Sequence, residues 1–256
     1  VCMNNPPSRL IKRMDALIDG IRSGHLVICG QTRYGKSTAA MWFFLNTNLF
    51  DGRKTATHIF FDTKHDDDIL QHGFVARSVE DLAYYLSLKP KRIIYRPPGT
   101  TEREIHLTKV VNLLFSNKEK SRYKGCVYAL FIDEVQLYAR KGSRHEGLER
   151  LSTTGAGKGI HGIVIGQRLQ DIHEQTLSQC NSRMVFFMQE RPEYLKSRLM
   201  TELVDWMDWL KENPYYFAFQ TLASVDWQLH APVPLPAKPI DPYSKKFAPP
   251  PSRRRS

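Results

Sequence analysis

Gly30-Gln31-Thr32-Arg33-Tyr34-Gly35-Lys36-Ser37-Thr38 is a complete G-x-x-x-x-G-K-[ST] run, and its setting decides how the rest of the chain is read. Four specified positions recur by chance in about one random chain of this size in a hundred. On its amino side His25 to Cys29 is a short apolar run suited to a buried parallel strand; on its carboxyl side Ser37 to Leu45 has the content of a helix. Strand, glycine-rich loop and helix are the three parts that a phosphate-cradling loop requires.

The chemistry follows from that geometry. Gly30 and Gly35 let the backbone curl so that the N–H groups of Gln31 to Thr38 turn inward, where the positive end of the following helix adds to the attraction for phosphate. Lys36 is then placed to reach the β- and γ-phosphates, and Ser37 to offer a hydroxyl to Mg²⁺, with Thr38 a weaker second hydroxyl. Arg33 and Tyr34 are bulky for a loop tip, which gives the loop's outer face a surface for a neighbour or a base.

The chain has 256 residues, 41% hydrophobic and 25% charged, enough for one or at most two domains with a sizeable core. No apolar run approaches the roughly 20 residues that span a bilayer, and Val1 to Arg9 is too polar for a cleavable signal. Cys2, Cys29, Cys126 and Cys180 lie far apart without a C-x-x-C pair, so buried reduced thiols are expected rather than a disulfide or metal site. His65-Asp66-Asp67-Asp68 reads as a charged loop, and no G-x-S-x-G elbow is present. The net charge of +11 exceeds what the terminal Arg253 to Arg255 supplies, which is the electrostatic footprint of a protein that meets a polyanion, most often nucleic acid.

Apolar positions at Leu10, Ile11, Met14, Leu17, Ile18 and Ile21 predict an amphipathic helix over 8–23, so 1–24 is read as a helical lead-in. Strands are predicted at 57–61, 92–95, 127–132, 162–166 and 184–188, with helices at 38–48, 79–88, 102–116 and 145–155 between several of them. Two further helices, at 191–199 and 201–212, precede two strands at 215–220 and 224–230. This alternation predicts an α/β fold, a mainly parallel sheet with helices on both faces, filling a motor domain over 25–231. From 232 to 256 the chain is proline-rich and then basic, with eight prolines between Pro232 and Pro251, and is expected to form an extended arm.

Ligands bind outside the carboxyl ends of strands in such sheets. Tyr128 to Ile132 is an apolar strand ending in Asp133-Glu134, the Walker B arrangement: Asp133 would hold Mg²⁺ and Glu134 would polarise the attacking water. Gln167 closes the next apolar run, where a polar side chain can read the γ-phosphate. Arg150, Arg168 and Arg183 are the arginines available for transition-state charge, Arg183 just ahead of the next predicted strand.

Four blocks together resemble the FtsK/HerA superfamily of P-loop translocases: Gly30 to Thr38, Ile59 to Lys64 with its Asp-x-Lys ending, Leu130 to Glu134, and Gly159-Ile160-His161 through Gly166-Gln167-Arg168. The resemblance runs from about residue 25 to 190, with Leu177 to Phe187 similar to a further N-x-x-x-R-x-x-F segment through Asn181 and Arg183. It departs from the pattern in Gly166, where the family has threonine, and in Ala156-Gly157-Lys158, where an arginine often precedes G-I-H. The resemblance implies a RecA-like fold assembled into a homo-oligomeric ring around double-stranded DNA, with ATP and Mg²⁺ as cofactors. It implies Lys36, Ser37, Asp133, Glu134 and Gln167 as the catalytic set, and Arg150 or Arg183 as an arginine supplied to a neighbouring subunit. The short chain is most similar to genome-packaging ATPases of tailless icosahedral viruses with internal membranes. That implies capsid vertex proteins as partners and the host cytoplasm and virion packaging vertex as the location; the alternative is a plasmid or cellular DNA pump. A small-molecule kinase fits less well, since Asp133-Glu134 positions water rather than an acceptor, and a capsid protein with a vestigial site less well again.

Overall fold

Strand β2 (His25–Cys29) is buried on both faces, and its side chains sort by parity: Val27 and Cys29 enter one apolar cluster, Leu26 and Ile28 the other. The computed structural model describes residues 10–11, 15–22, 24–46, 56–65, 67–99, 102–138, 145–198, 200–221, 224 and 226–234. Over these residues the elements are β1 (Leu10–Ile11), α1 (Asp15–Arg22), β2, α2 (Lys36–Leu45), β3 (Ala56–Phe61), α3 (Asp67–Leu70), β4 (Phe74–Ala76), α4 (Val79–Leu88), β5 (Arg92–Tyr95), α5 (Arg103–Glu119) and β6 (Val127–Ile132). There follow α6 (Glu146–Arg150), β7 (Ile160–Gly166), α7 (Glu174–Gln179), β8 (Cys180–Val185), α8 (Pro192–Ser197), α9 (Thr201–Glu212), β9 (Phe217–Thr221) and β10 (Gln228–His230).

Among the described residues one ten-stranded sheet runs in the order β1-β10-β9-β8-β2-β7-β6-β3-β5-β4. From β8 to β4 the pairing is parallel; β9 turns antiparallel to β8 and β10. The phosphate-loop strand β2 therefore lies between β7 and β8, and β7 separates it from β6. Helix α1 and the Phe43–Phe44 pair of α2 cover one face through Leu17 and Ile21; α4 to α9 cover the other through Leu82, Leu107, Val110, Leu148, Leu195 and Leu203. Truncating Phe43 or Phe44, both fully buried, to alanine would cost on the order of 3–5 kcal/mol.

Three expectations need correction. The predicted helix over 8–23 is shorter: it begins at Asp15, and Leu10–Ile11 is instead a strand paired in parallel with Leu229–His230. Sheet pairing with a segment far along the chain overrides the local period there. The strand predicted at 184–188 runs from Cys180 to Val185, because β2 extends its ladder to Cys180 and the chain leaves the sheet at Phe186. Arg183 is thus within the strand rather than ahead of it. The charged loop after His65 becomes a short helix at Asp67, and β4, three residues long, has no counterpart in the sequence reading.

Cys29, Cys126 and Cys180 are buried and free, and burial pushes the Cys29 and Cys180 thiols up; Cys2 lies outside the described residues. Most of the 232–256 arm, from 235 onward, also lies outside them. Among the described residues no helix is long and apolar enough to cross a membrane.

Candidate active site

The loop between β2 and α2 is shaped by what packs behind it. Gly35 has φ 107, in the left-handed region, and a Cβ there would lie 3.0 Å from both the Phe186 and Tyr215 rings. A Cβ on Gly30 would come within 2.6 Å of Phe186 Cβ, so both glycines are required by close approach. The loop is tied to the sheet edge: the Gln31 N–H donates to the Phe187 carbonyl (2.8 Å), the Gly30 N–H to that of Gly166 (3.3 Å), and the Tyr215 N–H to that of Tyr34 (3.0 Å). Tyr34 does not reach outward; its ring lies 4.7 Å from that of Phe187, while Arg33 (φ 73) and Thr32 remain exposed. Helix α2 opens with neither a side-chain cap nor an acidic residue in its first turn, which leaves its N–H groups to an anion.

Lys36 is 4% exposed and its Nζ lies 3.8 Å from Glu134 Oε1. Glu134 follows the end of β6 with φ 50, a left-handed conformation costing a non-glycine residue roughly 1–2 kcal/mol, and its N–H donates to Asp133 Oδ1 (3.0 Å). That turn throws its carboxylate back toward the phosphate loop, where four polar side chains meet it. Lys64 Nζ is 2.7 Å from Oε1, Gln167 Nε2 is 3.2 Å from Oε2, Gln136 Nε2 also donates to Oε2, and Lys36 completes the set. Burial pushes the Glu134 carboxyl up, but the Lys64 hydrogen bond, the Lys36 and Lys64 charges and the Gln167 bond outweigh it and hold the group below the ordinary carboxylate range. A base that is ionised, desolvated and fixed in direction is what polarising a water molecule demands.

Lys64 also contacts Asp133 Oδ2 at 3.0 Å, so one ammonium bridges both strand-end carboxylates. Burial lowers its pKa, yet the bonds to Glu134 and Asp133 more than offset this. A cavity of about 460 Å³ opens beside it, lined by Ser37, Asp133, Lys64, Asp62, Met41 and His72 among others. Ser37 and Asp133 face this common space as hard oxygen donors, a donor set that fits Mg²⁺. Asp62 and Arg96, closing β3 and β5, form a buried pair (2.8 Å) on its rim.

The structure thus brings Lys36, Ser37, Asp133, Glu134 and Gln167 to one edge. It does not bring Arg150 or Arg183 there, and Arg168, next to Gln167, turns to Glu190 instead. Arg150 on α6 donates to Asn112 Oδ1 (2.6 Å) and stacks 4.3 Å over Phe115; Arg183 is half-buried, in register with Val27 and Gln220; Arg168 pairs with Glu190 (3.4 Å). The sequence reading gave no role to Lys64, Gln136, Phe186 or Tyr215. Lys64 carried a usable signal, since it follows the polar end of β3 on the edge where every other functional group converges.

No protein-family profile matches the sequence, and no curated protein matches it. Solved structures do. The genome packaging NTPase B204 from Sulfolobus turreted icosahedral virus 2, in complex with ATP-gammaS, superposes with TM-score 0.68 at 16% identity, over 83% of this chain and 98% of that one. This chain has the fold of a P-loop ATPase. B204 from Sulfolobus turreted icosahedral virus, a DNA-packaging ATPase, gives TM-score 0.66 at 18% identity over 82% of this chain and 98% of that one. ATPases 2 and 3 of EssC from Geobacillus thermodenitrificans give 0.55 at 15% identity, over 82% of this chain and 39% of that one.

Proposed function

We propose that this chain is an ATP-hydrolysing motor that moves double-stranded DNA, and that the DNA is a viral genome driven into a preformed capsid. The loop N–H groups other than those of Gln31 and Tyr34, which already donate to the Phe187 and Gln31 carbonyls, bind the triphosphate together with Lys36. Ser37 and Asp133 hold Mg²⁺, which when bound neutralises phosphate charge. Glu134 orients water and takes its proton at a carboxylate oxygen, and Gln167, bonded to that carboxylate, senses whether the γ-phosphate is present. Motor subunits form a homo-oligomeric ring at the packaging vertex of the virion, assembled in the host cytoplasm, and Arg150 or Arg183 completes a neighbour's site. The basic arm over 232–256 docks on vertex proteins or DNA.

The packaging reading rests on one observation: nearly the whole of a DNA-packaging ATPase, 98% of its chain, superposes on this one. Purified protein should hydrolyse ATP faster with duplex DNA present and should strip a third strand from a DNA triplex in an ATP-dependent manner. Hydrolysis indifferent to DNA, with no strand displaced, would refute the motor.

A further inference from the structure

The edge of the sheet opposite the nucleotide is also charged, with the other sign. Lys91 immediately precedes β5, Lys120 and Lys124 flank the turn that leads into β6, Arg122 lies within that turn, and Lys158 stands one residue before Gly159 and β7. Lys89 caps α4 beside them. From 118 to 124 the chain carries four cations and a single carboxylate, Glu119. Among the described residues no ion pair involves Lys89, Lys91, Lys120, Arg122, Lys124 or Lys158. At the opposite edge Asp62, Asp67, Asp133 and Glu134 are matched by Arg96, Lys64 and Lys36, whereas the cations of this edge have no such match among the described residues.

The basic edge is also built rather than loose. Lys89 Nζ donates to the Arg122 carbonyl (3.2 Å), and the Lys89 and Arg122 cations lie 6.0 and 4.6 Å from the ring of buried Tyr123. Lys118, beneath, donates to the carbonyls of Cys126 and Lys124 and lies against Gly159, whose own carbonyl accepts from the Tyr128 N–H (3.0 Å). Three turns are thereby lashed into one surface. A neutralised face would have carboxylates in similar number; over 118–124 there is one, Glu119, against four cations.

We infer that this edge, centred on Lys91, Lys120, Lys124 and Lys158, is the surface that holds the sugar-phosphate backbone of duplex DNA. The inference rests on the motor reading above and adds the place of contact to it. β5, β3, β6 and β7 are neighbours, so the edge spans three strand spacings, about 14 Å. Duplex DNA carries one charge per about 1.7 Å with both strands counted, so about 14 Å of duplex carries about eight phosphate charges, and the six cations here exceed those on the side that faces the edge.

Replacing Lys91, Lys120, Lys124 and Lys158 by glutamine, all four exposed, tests this against a control in which exposed Arg77, Arg191, Lys196 and Lys211 become glutamine with the same loss of charge. Duplex affinity is titrated against salt, with folding verified by thermal melting. Wild type and control should share one slope of log affinity on log salt, and the edge variant should be shallower by about 3–4, at about 0.9 per lost contact. An edge variant with the wild-type slope, or a control that changes equally, overturns the inference while the motor reading stands. Wild-type protein that fails to bind duplex DNA at low salt overturns both.

Discussion

Lys64→Met removes the ammonium that bridges Asp133 and Glu134 and leaves two adjacent carboxylates facing each other. The contacts are short, 3.0 and 2.7 Å, but the lysine side chain is 44% exposed, so solvent screening discounts them to about 0.5–1 kcal/mol each. A divalent ion must displace Lys64 to reach Asp133, and so forfeits about 1–2 kcal/mol that the variant would not charge it. Nucleotide-free Lys64→Met protein should therefore bind Mn²⁺, followed by electron paramagnetic resonance as a probe of the Mg²⁺ site, roughly 5–30-fold more tightly than wild type. The same protein without metal should melt a few degrees lower, since about 1 kcal/mol moves the midpoint by about 2–4 °C at this size, and Mn²⁺ should restore it. Equal or weaker Mn²⁺ affinity in a folded variant would refute the reasoning, because Lys64 would then hold the carboxylates in place rather than compete for them.

Lys36→Ala should lose nucleotide binding, whereas Glu134→Gln should bind ATP and stall; turnover near wild type in Glu134→Gln, with bound nucleotide measured in parallel, would remove Glu134 from the chemistry. Arg150→Ala should lower turnover by about 10³ while leaving nucleotide affinity intact, and mixing it with Lys36→Ala subunits should recover activity; mixtures as inactive as their parts would place the trans arginine elsewhere. Stability should fall with acid. His25, His58 and His230 are buried, desolvation being the largest cause of holding each down to about 4, and the Gly162 N–H donates to His25 Nδ1, which must stay unprotonated to accept it. The folded state thus binds fewer protons than the unfolded one between about 4 and 6.5, and stability present above that window drains away as pH falls through it, by up to about 3 kcal/mol per histidine. A melting temperature flat from pH 7 to 5 would contradict this.

Elements with a strong local signal were readable: α4 at Val79–Leu88, β5, β6 and α9 fall where periodicity and apolar runs put them. The misses have long-range causes. β8 is polar for a central strand because Ser182 packs against Gly20, where an added Cβ would lie 2.8 Å away, and Asn181 against Gly24; the more apolar Phe186 to Met188 looked like the strand but begins beyond its end, with Phe186 beneath the phosphate loop. In the site, the residues announced by local motifs were legible; Lys64 stood in the Asp-x-Lys block without its partners showing, and Tyr215 carried no signal, since only folding brings the end of β3 to Glu134 and the turn before β9 to the loop.

Strand β7 touches both ends of this molecule. At its carboxyl end the Gly166 carbonyl holds the phosphate loop, and Gln167, just beyond, holds Glu134; at its amino end Gly159 and Lys158 form part of the basic edge. Its seven buried residues, roughly 23 Å of extended backbone clamped between β2 and β6, join the two ends as one unbroken strand. If Gln167 shifts on loss of the γ-phosphate, as the proposed motor requires, this strand is the direct path by which the shift reaches Lys158.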